Sequence, residues 1–161
     1  MIGVGAMIRP MGGNENTIKS LQSATGKQIA GVYVDETGNK WKDPEDGCLV
    51  VYFTDGDKLE IYDAGRSCCE SRWMHTDDDL DIHAGETFLG VWINGEDVLD
   101  EKKDNEDYYN DYPHQVQFLQ FRSTRGTSTI ETHNQHNGYY GGFWVMAVYT
   151  KYGETPDRSR W

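Results

Sequence analysis

Basic residues are scarce in this sequence: 15 Lys and Arg stand against 27 Asp and Glu, a formal net charge of −12. Phosphate binding needs clustered cations, so this balance excludes a general nucleic-acid binder. It also sets the chain against an anionic membrane surface. A basic protein surface stays open as a partner, and DNA mimicry is the sharper form of that idea. Cysteine is sparse too. Cys48 and the adjacent pair Cys68–Cys69 make an odd total of three, which is not a disulfide framework. A bridge between neighbours would strain the peptide joining them, so reduced thiols and an intracellular, cytoplasmic setting are expected. Met1 to Met11 carries one positive charge, Arg9, and a short apolar run broken by Gly and Pro. That is neither a signal peptide nor a membrane span.

What is present is aromatic and glycine-rich. The chain has 161 residues, enough for one domain with a core that needs no staple. Its most distinctive stretch, His133 to Gly142 (HNQHNGYYGG), reads as a polar, aromatic loop between two strands. Glycine permits positive φ and close approach, while Tyr139 and Tyr140 offer flat faces with hydroxyl tips. The loop is either a place where something is held or an elaborate hairpin whose tyrosines lie on the core.

In chain order, residues 1–14 read as a peripheral arm, and Asn16 or Thr17 is expected to cap a short helix within 17–24. Ile29 to Val34 is a strand, and Trp41 in the loop 39–47 is expected to fold back over the sheet. Cys48–Thr54 and Lys58–Tyr62, joined through Asp55-Gly56, give the clearest hairpin signal. An aspartate of the run Asp77-Asp78-Asp79 is expected to cap a helical turn within 78–84. Phe88 to Val98 is a strand region interrupted at Gly95. Residues 96–112, with eight acids against two lysines, form a solvated insertion. A cation site there would need a fixed glycine and terminal glutamate, and no such spacing occurs. Val116–Phe121 and Thr127–Thr132 are strands around the turn Ser123-Thr124-Arg125-Gly126. Phe143 to Tyr149 is apolar on both faces, so it is a central strand or one whose outer face meets another element. The tail 153–161 is expected to fray. The fold class is α+β, mostly β: a single domain on a twisted antiparallel sheet of roughly six to eight strands with one or two short helices.

Several clusters could carry chemistry. Neighbouring residues on a strand face opposite ways, so Cys68 and Cys69 read as one core thiol and one outward thiol. Metal ligation with His75, His83, His133 or His136 is the alternative, but zinc cysteines are usually two to four residues apart. A cysteine nucleophile would need His133 or His136 as base, and no local catalytic signature supports it. Neither a phosphate loop nor a dinucleotide fingerprint occurs. Glu70 is expected to pair with Arg66 or Arg72. Read functionally, an arginine, Glu70 and Trp73 beside Tyr139 and Tyr140 could clamp a planar polar ligand.

Ser67-Cys68-Cys69-Glu70 with Trp73, followed by Asp79-Leu80 and the segment Gly85 to Gly90, and finally Asn137-Gly138-Tyr139-Tyr140-Gly141-Gly142-Phe143, resembles a small family of uncharacterised domains from bacteriophages and bacteria. That family is marked by CC-[ES]-x-x-W and N-G-Y-Y-G-G-[WF] segments. The resemblance covers about residues 27–150 and implies a compact intracellular domain of phage origin, with no implied activity. The leading expectation is a non-enzymatic binding protein without cofactor or metal. Its site would combine Arg66, Cys68, Cys69, Glu70 and Trp73 with Asn134, His136, Asn137, Tyr139 and Tyr140. It would sequester a small nucleotide-type ligand or a host defence protein, as an anti-defence factor. The alternatives are a Cys/His- or metal-dependent enzyme and a virion or assembly component; a homo-oligomer is compatible with each.

Overall fold

The computed structural model describes residues 15–35, 47–64, 70–93, 99–100, 114–136 and 142–155. The expectations for the N-terminal arm, Trp41, Gly95, most of the acidic insertion and the end of the tail lie outside those residues. In order come α1 (Glu15–Ala24), β1 (Ile29–Val34), β2 (Leu49–Phe53), β3 (Lys58–Asp63), β4 (Glu70–His75), a 3-10 turn (Leu80–His83), β5 (Phe88–Ile93), β6 (Leu99–Asp100), β7 (His114–Ser123), β8 (Gly126–His136) and β9 (Val145–Thr150).

The expected mostly-β, antiparallel character is present, but the strands divide between two sheets. The first runs β1-β2-β3-β9; the second runs β4-β8-β7-β5, with the short β6 also beside β7. Each sheet turns one apolar face to a shared core, which a single open sheet would leave in water. Leu49, Val51, Leu59 and Ile61 come from the first sheet, and Met74, Phe88, Leu119, Phe121 and Ile130 from the second; Leu21 and Ala24 of α1 join them. The sheets are stitched at one corner. There Gly26 N–H donates to Phe88 O (2.9 Å), Phe88 N–H to Lys27 O (2.9 Å) and Ile29 N–H to Glu86 O (2.8 Å).

The Asp55-Gly56 signal folds as its chemistry dictates. Asp55 Oδ1 accepts from Asp57 N–H at 3.0 Å, Gly56 takes φ +90°, and β2 pairs β3 with Val51 opposite Leu59. Asp79 caps the 3-10 turn by accepting from Asp81 N–H at 3.0 Å. In β5 the irregularity falls at Gly90, where the register with β7 shifts.

Other boundaries differ from the sequence reading. Thr17 does not cap α1; it is fully buried, and its hydroxyl accepts from Ala147 N–H at 3.2 Å. That bond seals the outer edge of β9. Both its faces are apolar, yet it lies at the end of the first sheet's strand order, and α1 covers the edge that would otherwise expose its backbone. The turn after β7 falls where the sequence places it. Ser123 pairs with Gly126, and Thr124 and Arg125 are the two central residues. The hairpin continues to His136, so His133, Asn134, Gln135 and His136 are strand residues and not part of a loop.

Candidate functional site

Of the expected binding residues, Arg66, Cys68, Cys69, Asn137, Tyr139 and Tyr140 lie outside the described residues, while Glu70 and His136 are described in backbone only. The backbone register is informative nonetheless. β4 pairs antiparallel with β8, with Glu70 opposite His136, Arg72 opposite Asn134 and Trp73 opposite His133. The chain therefore enters β4 and leaves β8 at the same end of one strand pair.

Strand alternation then splits the expected set between two faces. Arg72 and Asn134 point inward, between the sheets. Arg72 makes an ion pair with Asp63 of β3 (Nη1 to Oδ2, 2.6 Å); its side chain is 8% exposed and that of Asp63 4%, while the expected partner Glu70 has its side chain outside the described residues. Arg72 Nη1 also donates to Gly142 O at 2.9 Å, and Asn134 Nδ2 donates to the same oxygen at 2.9 Å. Gly142 N–H donates to Gln115 Oε1 at 2.7 Å, and Trp144 N–H to Asp63 Oδ1 at 3.0 Å. Gly142 has φ +86°, a conformation that a side chain would strain. Side chains of β3, β4, β7 and β8 thus hold the backbone at Gly142 and Trp144, and the bonds from Arg72 and to Asp63 are charge-assisted. Asn134 is fully buried here and serves as an anchor.

Trp73 faces the other way, onto the outer face of the second sheet. Its ring lies flat on that of His133, with centroids 4.8 Å apart and planes 1° apart. His114 leans against both rings, 5.3 Å from Trp73 and 5.1 Å from His133. His133 Nδ1 shares a hydrogen bond with His114 Nε2 (2.9 Å), and its Nε2 sits 3.3 Å from Glu131 Oε2. With Nε2–H directed at the carboxylate, His133 Nδ1 accepts from His114 Nε2–H, which fixes the tautomers along the chain of rings. Farther across the same face, the Arg122 guanidinium stacks on Trp92 at 4.4 Å and donates to Gln120 Oε1 at 2.8 Å. The outer face is therefore an aromatic and polar surface, and cross-strand pairing aligns it.

The histidines proposed as metal ligands go separate ways. His75 bonds Asp77 (2.8 Å), and His83 is fully buried between Ser123 (2.6 Å) and Ser128 (2.7 Å). Among the described residues no three His, Cys, Asp or Glu side chains form a metal-holding group. Burial holds the His83 imidazole below the usual histidine pKa. Cys48 is a buried, reduced thiol. A further charged cluster joins Lys27, Asp55, Asp57 and Tyr149. There Lys27 first, then Tyr149 and the Tyr152 N–H, push the Asp57 carboxyl down to about 2. It ties the β2–β3 turn to the end of β9, a structural duty.

His114 and Gln115 escape the sequence reading because the strand it predicts begins at Val116. The alternation of that strand continues backward through both residues, and this is the available signal. No helix among the described residues is long and apolar enough to cross a membrane. No curated protein and no solved structure matches the chain. The family model of a domain of unknown function, DUF7448, matches residues 19–145, a span that includes both motif segments. The chain belongs to the DUF7448 family.

Proposed function

We propose that this is a non-enzymatic binding protein that takes a planar, polar, nucleotide-type ligand on the outer face of the second sheet. The observation that carries this reading is the parallel Trp73–His133 pair with His114 hydrogen-bonded beside it. Two strand-borne rings held parallel present a rigid aromatic edge, and the His–His–Glu chain beside it supplies oriented polar groups. The site lies next to the strand ends that lead into both motif segments. The described serine–histidine contacts support a binding role over a nucleophilic one, since His83, Ser123 and Ser128 are packed in the interior. With the motif resemblance, the reading extends to a phage-encoded accessory factor that sequesters such a ligand inside the host cell.

Thermal-shift measurements across mono-, di- and cyclic nucleotides test it, alongside mass spectrometry of material extracted from the purified protein. The expected result is a shift with at least one of these, weakened about 5- to 150-fold in affinity by Trp73→Ala, the equivalent of losing ~1–3 kcal/mol of stacking. A ligand-free mass spectrum together with no shift in the whole panel refutes the proposal. So does a nucleotide whose affinity is unchanged in both Trp73→Ala and His133→Ala.

A further inference from the structure

The sheet edges are not treated alike. The β9 edge is covered by α1 through Thr17, and Gly47 lies against the β4 edge, where an added Cβ would stand 3.3 Å from Trp73 Cα. The start of β1 is occupied as well: Ile29 N–H donates to Glu86 O, and Ile29 O accepts from Gly85 N–H, both at 2.8 Å. Beyond Ile29 the outer edge of β1 pairs with no other strand among the described residues. Asp35 N–H donates to Cys48 O, so the odd-numbered residues Gly31, Tyr33 and Asp35 direct their backbone groups at β2. Val32 and Val34 therefore direct theirs away from the sheet, where β1 has no neighbouring strand among the described residues. An edge strand with an unpaired row of donors and acceptors is a template for another strand.

The side chains point to one occupant. Tyr33 and Tyr52 stack on the outer face of the first sheet, centroids 6.1 Å apart, and both stay exposed at 46% and 41%. On the inner face Val32 is buried, but Val34 is only half-buried against the core. We propose that β1 pairs antiparallel with β1 of a second copy of this chain, about a two-fold axis through Tyr33. That register is self-complementary. Val32 faces the partner's Val34, and Val34 the partner's Val32, as hydrogen-bonded pairs that use all four outward N–H groups and carbonyls. Tyr33 faces the partner's Tyr33 as the close, non-hydrogen-bonded pair, which lengthens the ring stack to Tyr52–Tyr33–Tyr33–Tyr52. The partner's Val32 covers the uncovered side of Val34. The two first sheets become one continuous eight-stranded sheet. The contact is short, below the roughly 1,000 Å² that a stable interface clears, so the dimer is a weak, concentration-dependent one. Each copy carries −12, so screening by salt favours it.

Sedimentation velocity of the full chain between about 1 and 100 μM, at low and high salt, reads the assembly state. The expected result is a monomer–dimer equilibrium shifted toward dimer by salt. Tyr33→Lys, which sets two cations against each other at the axis, is expected to weaken it at least tenfold while leaving circular dichroism and melting temperature unchanged. Tyr33→Cys adds a geometric readout. Non-hydrogen-bonded antiparallel partners lie within the Cα range of a disulfide, so copper-phenanthroline oxidation should link two copies through the introduced thiols, a bridge mapped by peptide mass spectrometry. A chain monomeric throughout that range overturns the proposal, as does a dimer indifferent to Tyr33→Lys or a Tyr33→Cys protein that does not link. A monomer whose β1 instead takes up an added β-strand peptide overturns the second-copy assignment.

Discussion

Replacing His83 by Ala is the sharpest probe of how the second sheet is held. The imidazole bonds Ser123 Oγ and Ser128 Oγ at 2.6 and 2.7 Å, donating to one and accepting from the other, and its edge meets Phe121 at 4.7 Å between centroids. It fastens the 3-10 turn to both strands of the β7–β8 hairpin. Deleting it removes two hydrogen bonds worth ~1 kcal/mol each and opens a cavity beside Phe121. Ser123 keeps the Arg125 N–H at 3.1 Å, but Ser128, 2% exposed, is left with a buried hydroxyl. The total is about 3–5 kcal/mol, and a double-mutant cycle with Ser128→Ala should return a coupling of ~1–2 kcal/mol. The pH dependence carries its own sign. Burial lowers the folded-state pKa of His83, so between that value and the unfolded value of ~6.5 the unfolded chain holds more protons. The His83 contribution is therefore fully present above about pH 6.5 and is lost as pH falls toward the folded pKa. Urea denaturation followed by tryptophan fluorescence at pH 7.5 and 5.5 measures both effects. A His83→Ala cost under ~1 kcal/mol, or a variant whose loss of stability between those pH values equals that of the wild type, refutes the reasoning.

Three further outcomes follow from the same contacts. Asp63→Ala leaves Arg72 charged and nearly buried, so a loss of about 3–5 kcal/mol in chemical denaturation is expected, and a larger one than the double replacement Asp63→Ala with Arg72→Met, which removes both charges. Asp57 is held at about 2 by Lys27, Tyr149 and the Tyr152 N–H, so its stabilising contribution is fully present above the ordinary carboxylate pKa and is lost progressively as pH falls from there through about 2; Asp57→Asn should flatten the acid limb of melting temperature against pH below about pH 4. Thr17→Val keeps the shape of the side chain but strands the buried Ala147 N–H, at a cost of ~1–3 kcal/mol, and amide exchange at Ala147 should accelerate.

Sequence alone determined the features that a few adjacent residues can encode. Asp55-Gly56 fixed the β2–β3 hairpin because aspartate closes its own turn and glycine accepts positive φ. Asp79 fixed the start of the 3-10 turn, and the two-sided apolarity of 143–149 required cover on both faces of β9. Strand partners are another matter. Alternation tells which residues share a face, but not which sheet a strand joins, because pairing energy comes from residues far apart in sequence. Hence the division into two sheets, the Arg72–Asp63 pair, the three-way hold on Gly142 and the pairing of His83 with two serines were settled only by tertiary contacts. The candidate site shows the same boundary: the sequence marked Trp73 and Asn134 by composition, and the register of β4 on β8 sent one ring outward and one amide inward.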